Sequence, residues 1–418
     1  MLKSETENLM KKRWIILGIS CLINLCIGSI YAWSVFSLPM SDYLGSILGT
    51  PLSPGDLSIV FTVSNAVGPI TLISGGFIND KIGPKWVIFV GGLMFAVGMI
   101  GSGFVSSISM LIVSYGIFCG LGMGLVYGCT VSNAVKFFPD KRGLAGGITT
   151  ASYGISSAIV PYLANALINK FDVLFTFKFI GTVFGIIICA GALFMRQCPD
   201  GFSPTNNNVS SKVTNKNIGA VQKSPSEMLR DPIFYIMILL LTCGAVCGLM
   251  VISQTSPLAQ IITGMSVASA TVVVSVLALF NAAGRVMAGI ISDMIGRINT
   301  LTVMLGLSLA GLLLLYTSSE GTYAKFYIGV SIVGLCFGSF MGVFPGFTAD
   351  RFGEKNNSVN YGIMFVGFSL AGYLGPAIMN MLYVRYETYK YAFVFAAALS
   401  VFGVALTMVY RLIGKKKS

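Results

Sequence analysis

Residues 75–85 read GGFINDKIGPK and residues 288–298 read AGIISDMIGRI. Asp293 follows Asp80 by 213 positions, and the glycines keep that offset, Gly76 with Gly289 and Gly83 with Gly296. A cation follows the second glycine of each, Lys85 two residues after Gly83 and Arg297 directly after Gly296. A fainter pair, FFPDKRG at 137–143 and FTADRFG at 347–353, sets Asp140 and Asp350 210 positions apart. Two independent loops repeating at nearly one period imply a duplicated unit.

The surroundings of these loops say what is duplicated. Of the 418 residues, 55% are hydrophobic and 10% charged, with a mean hydropathy of +0.82. Soluble domains carry about 25% charged residues, so the chain reads as a polytopic membrane protein. Apolar runs near 14–38, 56–79, 86–105, 109–135, 143–167, 173–195, 232–254, 268–292, 300–318, 325–348, 359–381 and 388–411 give twelve spans, each close to the roughly 20 residues that cross a bilayer. The first run is too long for a signal-peptide core and reads as an uncleaved span. The fold expected is therefore an all-α integral membrane protein with 12 transmembrane helices in two six-helix bundles related by pseudo-twofold symmetry. The bundles cover 1–195 and 232–418, the second with a basic cytoplasmic tail, and 196–231 is a polar linker expected to be mobile. Parallel repeats of this kind are a transporter plan, with the substrate site between halves near the midplane.

Charge placement orients the chain. One set of loops and both tails hold 21 Lys or Arg residues, against five in the opposite loops (Lys170, Lys178, Lys325, Arg385 and Lys390). The positive-inside rule then puts both termini in the cytoplasm and the protein in the cytoplasmic membrane. The net charge of +12 is thereby accounted for without a nucleic acid partner. Eight of nine cysteines lie in apolar spans and Cys198 in a loop read as cytoplasmic, so free thiols are expected. Cys243 and Cys247 share a helix face, but with no His in the chain packing is the better reading than a metal. No paired intramembrane carboxylates, phosphate-binding glycine loop or nucleophile beside a base suggests an enzyme. No metal or cofactor is expected; the partners are the lipid bilayer and a small solute, and a duplicated unit can work as a monomer.

One cation breaks the apolar pattern. Arg285 sits inside the eighth run, about seven residues, or roughly 10 Å, from its end. Burying a guanidinium there costs roughly 2.5–3.5 kcal/mol on insertion scales. An anionic solute is a fitting partner, since a planar guanidinium holds a carboxylate through two parallel hydrogen bonds. A structural reading, with Arg285 bonded to backbone carbonyls or reaching toward Asp293, stays open. Asn281, four residues back, shares its face and could orient the guanidinium or bond the substrate. In helix 4, Gly116, Gly120, Gly124 and Gly128 repeat every four residues, a pattern for close helix approach.

The repeated loop resembles the signature loop of the major facilitator superfamily. In that reading Asp80 and Asp293 cap a helix end or pair with a cation, while Gly76, Gly83 and Gly296 permit a tight turn and close approach; Lys85 and Arg297 complete the gating loops. More closely, IYAWSVF around Tyr31, LVYG around Tyr127, FFPDKRGLAGG at 137–147, FNAAGR ending in Arg285 and NYG at 360–362 resemble the oxalate/formate antiporter family and its monocarboxylate-transporter relatives. The resemblance implies secondary transport of small carboxylates by alternating access, with Arg285 facing a cavity lined by aromatics. By motif position these are Tyr31, Tyr127, Phe337 and Phe368.

Two departures from that family matter. The oxalate exchangers carry a lysine a few residues after NYG, where this chain has Phe368, so the site holds one positive charge and a monocarboxylate such as formate, lactate or pyruvate fits it better than a dianion. Monocarboxylate transporters carry an Asp at the place of Asn281, so proton coupling through a buried acid is not expected. The alternatives are a carrier for another small organic anion or neutral solute, or a carboxylate sensor that does not transport. Export of cationic drugs is disfavoured by the absence of a cation in helix 4 and of a Gly-Pro-x-x-Gly-Gly run in GGITTASYGISSAIVP at 146–161.

Overall fold

The computed structural model describes residues 2–199, 202 and 222–415. Twelve helices are long and apolar enough to cross a membrane: α1 (Lys12–Leu48), α2 (Ser58–Ile82), α3 (Pro84–Ser102), α4 (Ile108–Phe137), α5 (Arg142–Lys170), α6 (Val173–Phe194), α7 (Pro232–Thr263), α8 (Val267–Ile295), α9 (Arg297–Tyr316), α10 (Tyr323–Phe352), α11 (Asn357–Tyr386) and α12 (Lys390–Ile413). No strand occurs among the described residues. Helices satisfy every backbone donor and acceptor within one segment, which the hydrocarbon core demands.

Two spans outrun the sequence expectation. α1 continues ten residues past 38 because Ser37 and Ser41 turn their hydroxyls back onto the carbonyls of Ser34 and Leu38, at 3.1 and 2.7 Å, and so ride inside a helix. Gly49, at φ 66°, then stops it. α7 runs to Thr263 rather than 254, for Thr255 donates to the Val251 carbonyl at 2.8 Å, and the polar stretch is absorbed as a kink at Gln254 ahead of Pro257.

The chain forms two compact units. The first comprises residues 1–140, 152–222 and 349–363, the second 141–151, 223–348 and 364–418. Their bounds differ from a cut at the linker: the start of α5 belongs with the later helices, and the end of α10 with the start of α11 belongs with the earlier ones.

In the first unit the glycine stripe of α4 seats that helix on α2. A Cβ on Gly120 would meet the Ser64 carbonyl oxygen at 2.5 Å and one on Gly124 the Gly68 carbonyl oxygen at 2.1 Å. Gly116 faces Val63 and Gly128 faces Leu72, so all four glycines serve one interface. On the other side Gly91 and Gly122 bring α3 onto α4, and Gly92, Gly181 and Gly185 bring α3 onto α6.

In the second unit α10 carries a matching stripe, Gly334, Gly338 and Gly342, laid along the backbone of α8 at Leu277, Asn281 and Arg285. The same four-residue spacing is present in the sequence. Cys247 donates to the Ala396 carbonyl, tying α7 to α12, and all nine cysteines are free thiols.

Part of the 196–231 segment is ordered, contrary to the expectation for the whole of it. Ser224 and Glu227 form a capping box on the short helix Pro225–Leu229, whose Met228 is fully buried, and Asp231 caps α7 while pairing with Lys223. Buried Met228 and the buried Asp231 supply the anchoring that a polar composition does not reveal. Residues 200–201 and 203–221 of the expected mobile linker, and 416–418 of the basic tail, lie outside the described residues.

Candidate substrate site and gating loops

Arg285 is 4% exposed. Its Nη1 donates to the main-chain carbonyl of Thr150 at 2.7 Å and its Nε to Asn281 Oδ1 at 3.2 Å. Asn281 therefore orients the guanidinium, as its i−4 position allows. Among the described residues no carboxylate pairs with Arg285, for Asp293 is held elsewhere. A guanidinium has five N–H donors, and Nη2, which bears two of them, has no protein acceptor among the described residues. A buried cation with one carbonyl and one amide oxygen for company keeps three of its five donors for an anion.

Glycines fix where that cation sits. A Cβ on Gly342 of α10 would stand 2.1 Å from the Arg285 carbonyl oxygen, and one on Gly147 of α5 would stand 2.4 Å from it. Gly338 in the same way admits the Asn281 carbonyl, at 2.0 Å. Any side chain at these places would push α8 away by about 1 Å, the gap between these distances and ordinary contact at about 3.5 Å being partly taken up by relaxation. Reading of the sequence missed Gly147, Gly338 and Gly342; the signal was their spacing with respect to FNAAGR, which needs the packing of α8 to be seen.

The aromatic residues fall into two groups. In the first unit α1 narrows to a 3-10 turn at Gly28–Ala32, where a Cβ on Gly28 would meet the Tyr153 carbonyl oxygen at 2.4 Å. That turn sets the Tyr31 ring 5.2 Å from the Tyr153 ring, and Tyr127 is 5.0 Å from the same ring. Tyr31 and Tyr127 are thus brought together through Tyr153, which the motif reading did not single out although it lies in the quoted 146–161 stretch. In the second unit Phe337 and Phe368 are 6.2 Å apart, with Phe365 4.6 Å from Phe368. Phe337 is seated in the space left by Gly248.

The signature loops build one constellation twice. In the first unit the Asp80 carboxylate takes the Lys136 ammonium at 2.7 Å and accepts from the amides of Ser358 and Val359, at 3.4 and 3.2 Å, in the opening turn of α11. Gly76 makes room, since its Cβ would lie 2.8 Å from that backbone. In the second unit the Asp293 carboxylate takes Arg297 at 2.6 Å and accepts from the amides of Gly143 and Leu144, both at 2.9 Å, in the opening turn of α5. Each aspartate caps, from outside, the N-terminus of a helix from the other sequence repeat, where free amides and the helix dipole favour an anion. Gly83 and Gly296 end α2 and α8 at φ 86° and 90°, a backbone region that side chains resist.

Lys85 departs from the expectation. Among the described residues it makes no ion pair, and its ammonium lies 5.5 Å over the adjacent Trp86 ring; the partner of Asp80 is Lys136, from the end of α4. Lys85 stands five after Asp80 and Arg297 four after Asp293, and of these two cations it is Arg297, at the start of α9, that reaches its aspartate across the turn at Gly296. Polar groups crowd the first constellation further, with Asn79 donating to Ser358 at 2.6 Å and Ser358 to Ser132 at 2.9 Å.

Twelve apolar helices with two equivalent capped loops define the class, a multi-pass membrane transporter. The family model described as Major Facilitator Superfamily matches residues 18–376, and the chain belongs to that superfamily. It is 28% identical over 365 residues to an uncharacterized MFS-type transporter, YhjX, of Escherichia coli strain K12, covering 87% of each chain. It is likewise 28% identical over 379 residues to an oxalate:formate antiporter of Oxalobacter formigenes, covering 90% of this chain and 86% of that one. Among solved structures, the fucose transporter FucP in the outward conformation superposes with a TM-score of 0.72 at 12% identity, over 96% of this chain and 99% of FucP.

Proposed function

We propose that the protein is a secondary transporter of small monocarboxylates in the cytoplasmic membrane, with both termini in the cytoplasm. The observation that carries this reading is Arg285, a cation 4% exposed that has, among the described residues, neither a carboxylate partner nor an acceptor on Nη2. A carboxylate supplies the missing charge and two parallel acceptors. The similarity to an oxalate:formate antiporter supports the same substrate class. Phe368 stands where the oxalate exchangers carry lysine, so a dianion beside Arg285 would leave one charge uncompensated in a low-dielectric site. Phe337 and Phe368, in the same unit as Arg285, supply ring faces for the small apolar part of such a solute, and Asn281 orients the guanidinium through Nε.

The capped loops serve as the gate in this reading. Asp80 and Asp293 stabilise one arrangement of α11 and α5 respectively, and transport requires that these caps be released and re-formed. The experiment is counterflow in proteoliposomes loaded with formate, lactate or oxalate and offered the labelled anion. Formate or lactate exchange faster than oxalate supports the reading; oxalate alone, or a neutral solute, as the exchanged species contradicts it.

A further inference from the structure

Thr150 holds Arg285 through its main chain, and that bond lies in an unusually close contact between α5 and α8. Gly143 and Gly289 face each other so tightly that a Cβ on either would stand 2.1 or 2.2 Å from the carbonyl oxygen of the other. One turn along, Gly147 meets the Arg285 carbonyl, and one turn back, Asp293 caps the amides of Gly143 and Leu144. Residues 141–151 belong to the second compact unit, whereas the rest of α5, from 152, belongs to the first. The opening turns of α5 are therefore bound to α8 by glycine contact, by a cap, and by the side chain of the very residue that is to bind the substrate.

We infer that the Thr150 carbonyl competes with the substrate carboxylate for Arg285, so that anion binding loosens the opening turns of α5 from α8. The inference rests on Arg285 being the substrate's counter-charge. A carboxylate that meets Arg285 finds Nη2 unoccupied. Its second oxygen completes a parallel fork on the other N–H of Nη1, so that this nitrogen then serves both the carboxylate and the Thr150 carbonyl. The other fork, Nε with Nη2, displaces Asn281 and leaves Thr150 bonded. In either fork the Thr150 bond does not persist unchanged, because Nη1 bound to a neutral carbonyl at 2.7 Å carries a charge-assisted bond that a neutralised guanidinium sustains less well. Substrate binding and helix release thus become one event at one side chain, and a ligand that binds the two arrangements differently shifts their populations. Gly147 is the positioning residue of the device, since it sets the distance over which Thr150 can reach Arg285.

The test uses Ser292→Cys, a near-isosteric reporter at this contact, where Ser292 is 2% exposed and its Oγ would lie 2.7 Å from a Cβ on Gly143. The protein in nanodiscs is treated with N-ethylmaleimide, with and without saturating formate, lactate or oxalate, against the parent chain as blank, and anion binding is followed separately by thermal shift. Binding anions should speed labelling of residue 292 by roughly 10-fold or more, the range of one hydrogen bond to a charged group. Added Gly147→Ala should raise labelling without any anion while leaving anion binding detectable, and added Arg285→Ala should raise it and abolish the anion response. Anion binding that Arg285→Ala removes, together with labelling that anions never change, overturns the inference and leaves the substrate reading standing. Binding by none of the three anions, or binding untouched by Arg285→Ala, overturns the substrate reading and the inference with it.

Discussion

Replacing Asp80 by Asn keeps an acceptor in place but removes the charge that three donors share. The Asp80 and Lys136 side chains are 7% and 13% exposed and meet at 2.7 Å, and the carboxylate also takes the two amides that open α11. Removing one partner of a buried pair costs about 3–5 kcal/mol. The residual exposure and the long amide bonds, at 3.2 and 3.4 Å, place this case at the low end, near 3 kcal/mol. Lys136→Met leaves Asp80 with the amides alone and should cost somewhat less, about 2 kcal/mol, because those amides and the helix dipole still support the charge. The double variant leaves neither an unpaired cation nor an unpaired anion, so a coupling of about 1.5–3 kcal/mol should reappear as less than additive loss. The assay is SDS-induced unfolding in mixed micelles followed by tryptophan fluorescence, for the four proteins of the cycle. Strictly additive losses, or single losses under 0.5 kcal/mol, the level of unconnected surface changes, would refute the claim that this pair holds the start of α11.

Two further outcomes are expected. Phe368→Lys adds a second cation near Phe337 and Phe365 and should raise oxalate exchange relative to formate by about tenfold, measured by counterflow, one charge pair being worth roughly 1.4 kcal/mol at an intermediate dielectric. The Ser224 amide and hydroxyl hold the Glu227 carboxyl below its usual range; with its folded value lowered, the capping box contributes above the unfolded value and is lost as pH falls through the folded one. Protection of the Met228 amide against exchange, relative to its intrinsic rate at each pH, should therefore fall below about pH 4.5, the ordinary Glu range, and Glu227→Gln should abolish that pH dependence.

Much of this architecture was legible because bilayers constrain sequence strongly. The span count came from apolar length, and the duplicated loops came from the repeat of Asp80 in Asp293 with its glycines. What was illegible depended on side chains that turn back onto their own helix, as Ser37, Ser41 and Thr255 do, and so look like loop polarity while extending α1 and α7. The partner of Asp80 was illegible for a related reason. Lys85 is adjacent in sequence, but Lys136 is adjacent in space, and only the α2–α4 glycine interface says so. At the candidate site Arg285 and Asn281 were readable from one helix face, since i and i+4 always meet there. Thr150 was not, because its contribution is a carbonyl that any residue could supply, and it reaches Arg285 only because positions 147 and 342 lack a Cβ.

The measurement closest to the central claim is uptake of labelled formate and lactate into proteoliposomes by the unmodified chain, Arg285→Lys and Arg285→Ala, at matched reconstitution. The account predicts uptake that vanishes in Arg285→Ala and falls by roughly 10-fold or more in Arg285→Lys, which keeps the charge but not the two-bond fork. Equal uptake by all three proteins would make Arg285 a structural residue bonded to Thr150 and Asn281, and the assignment of the substrate's counter-charge would be wrong.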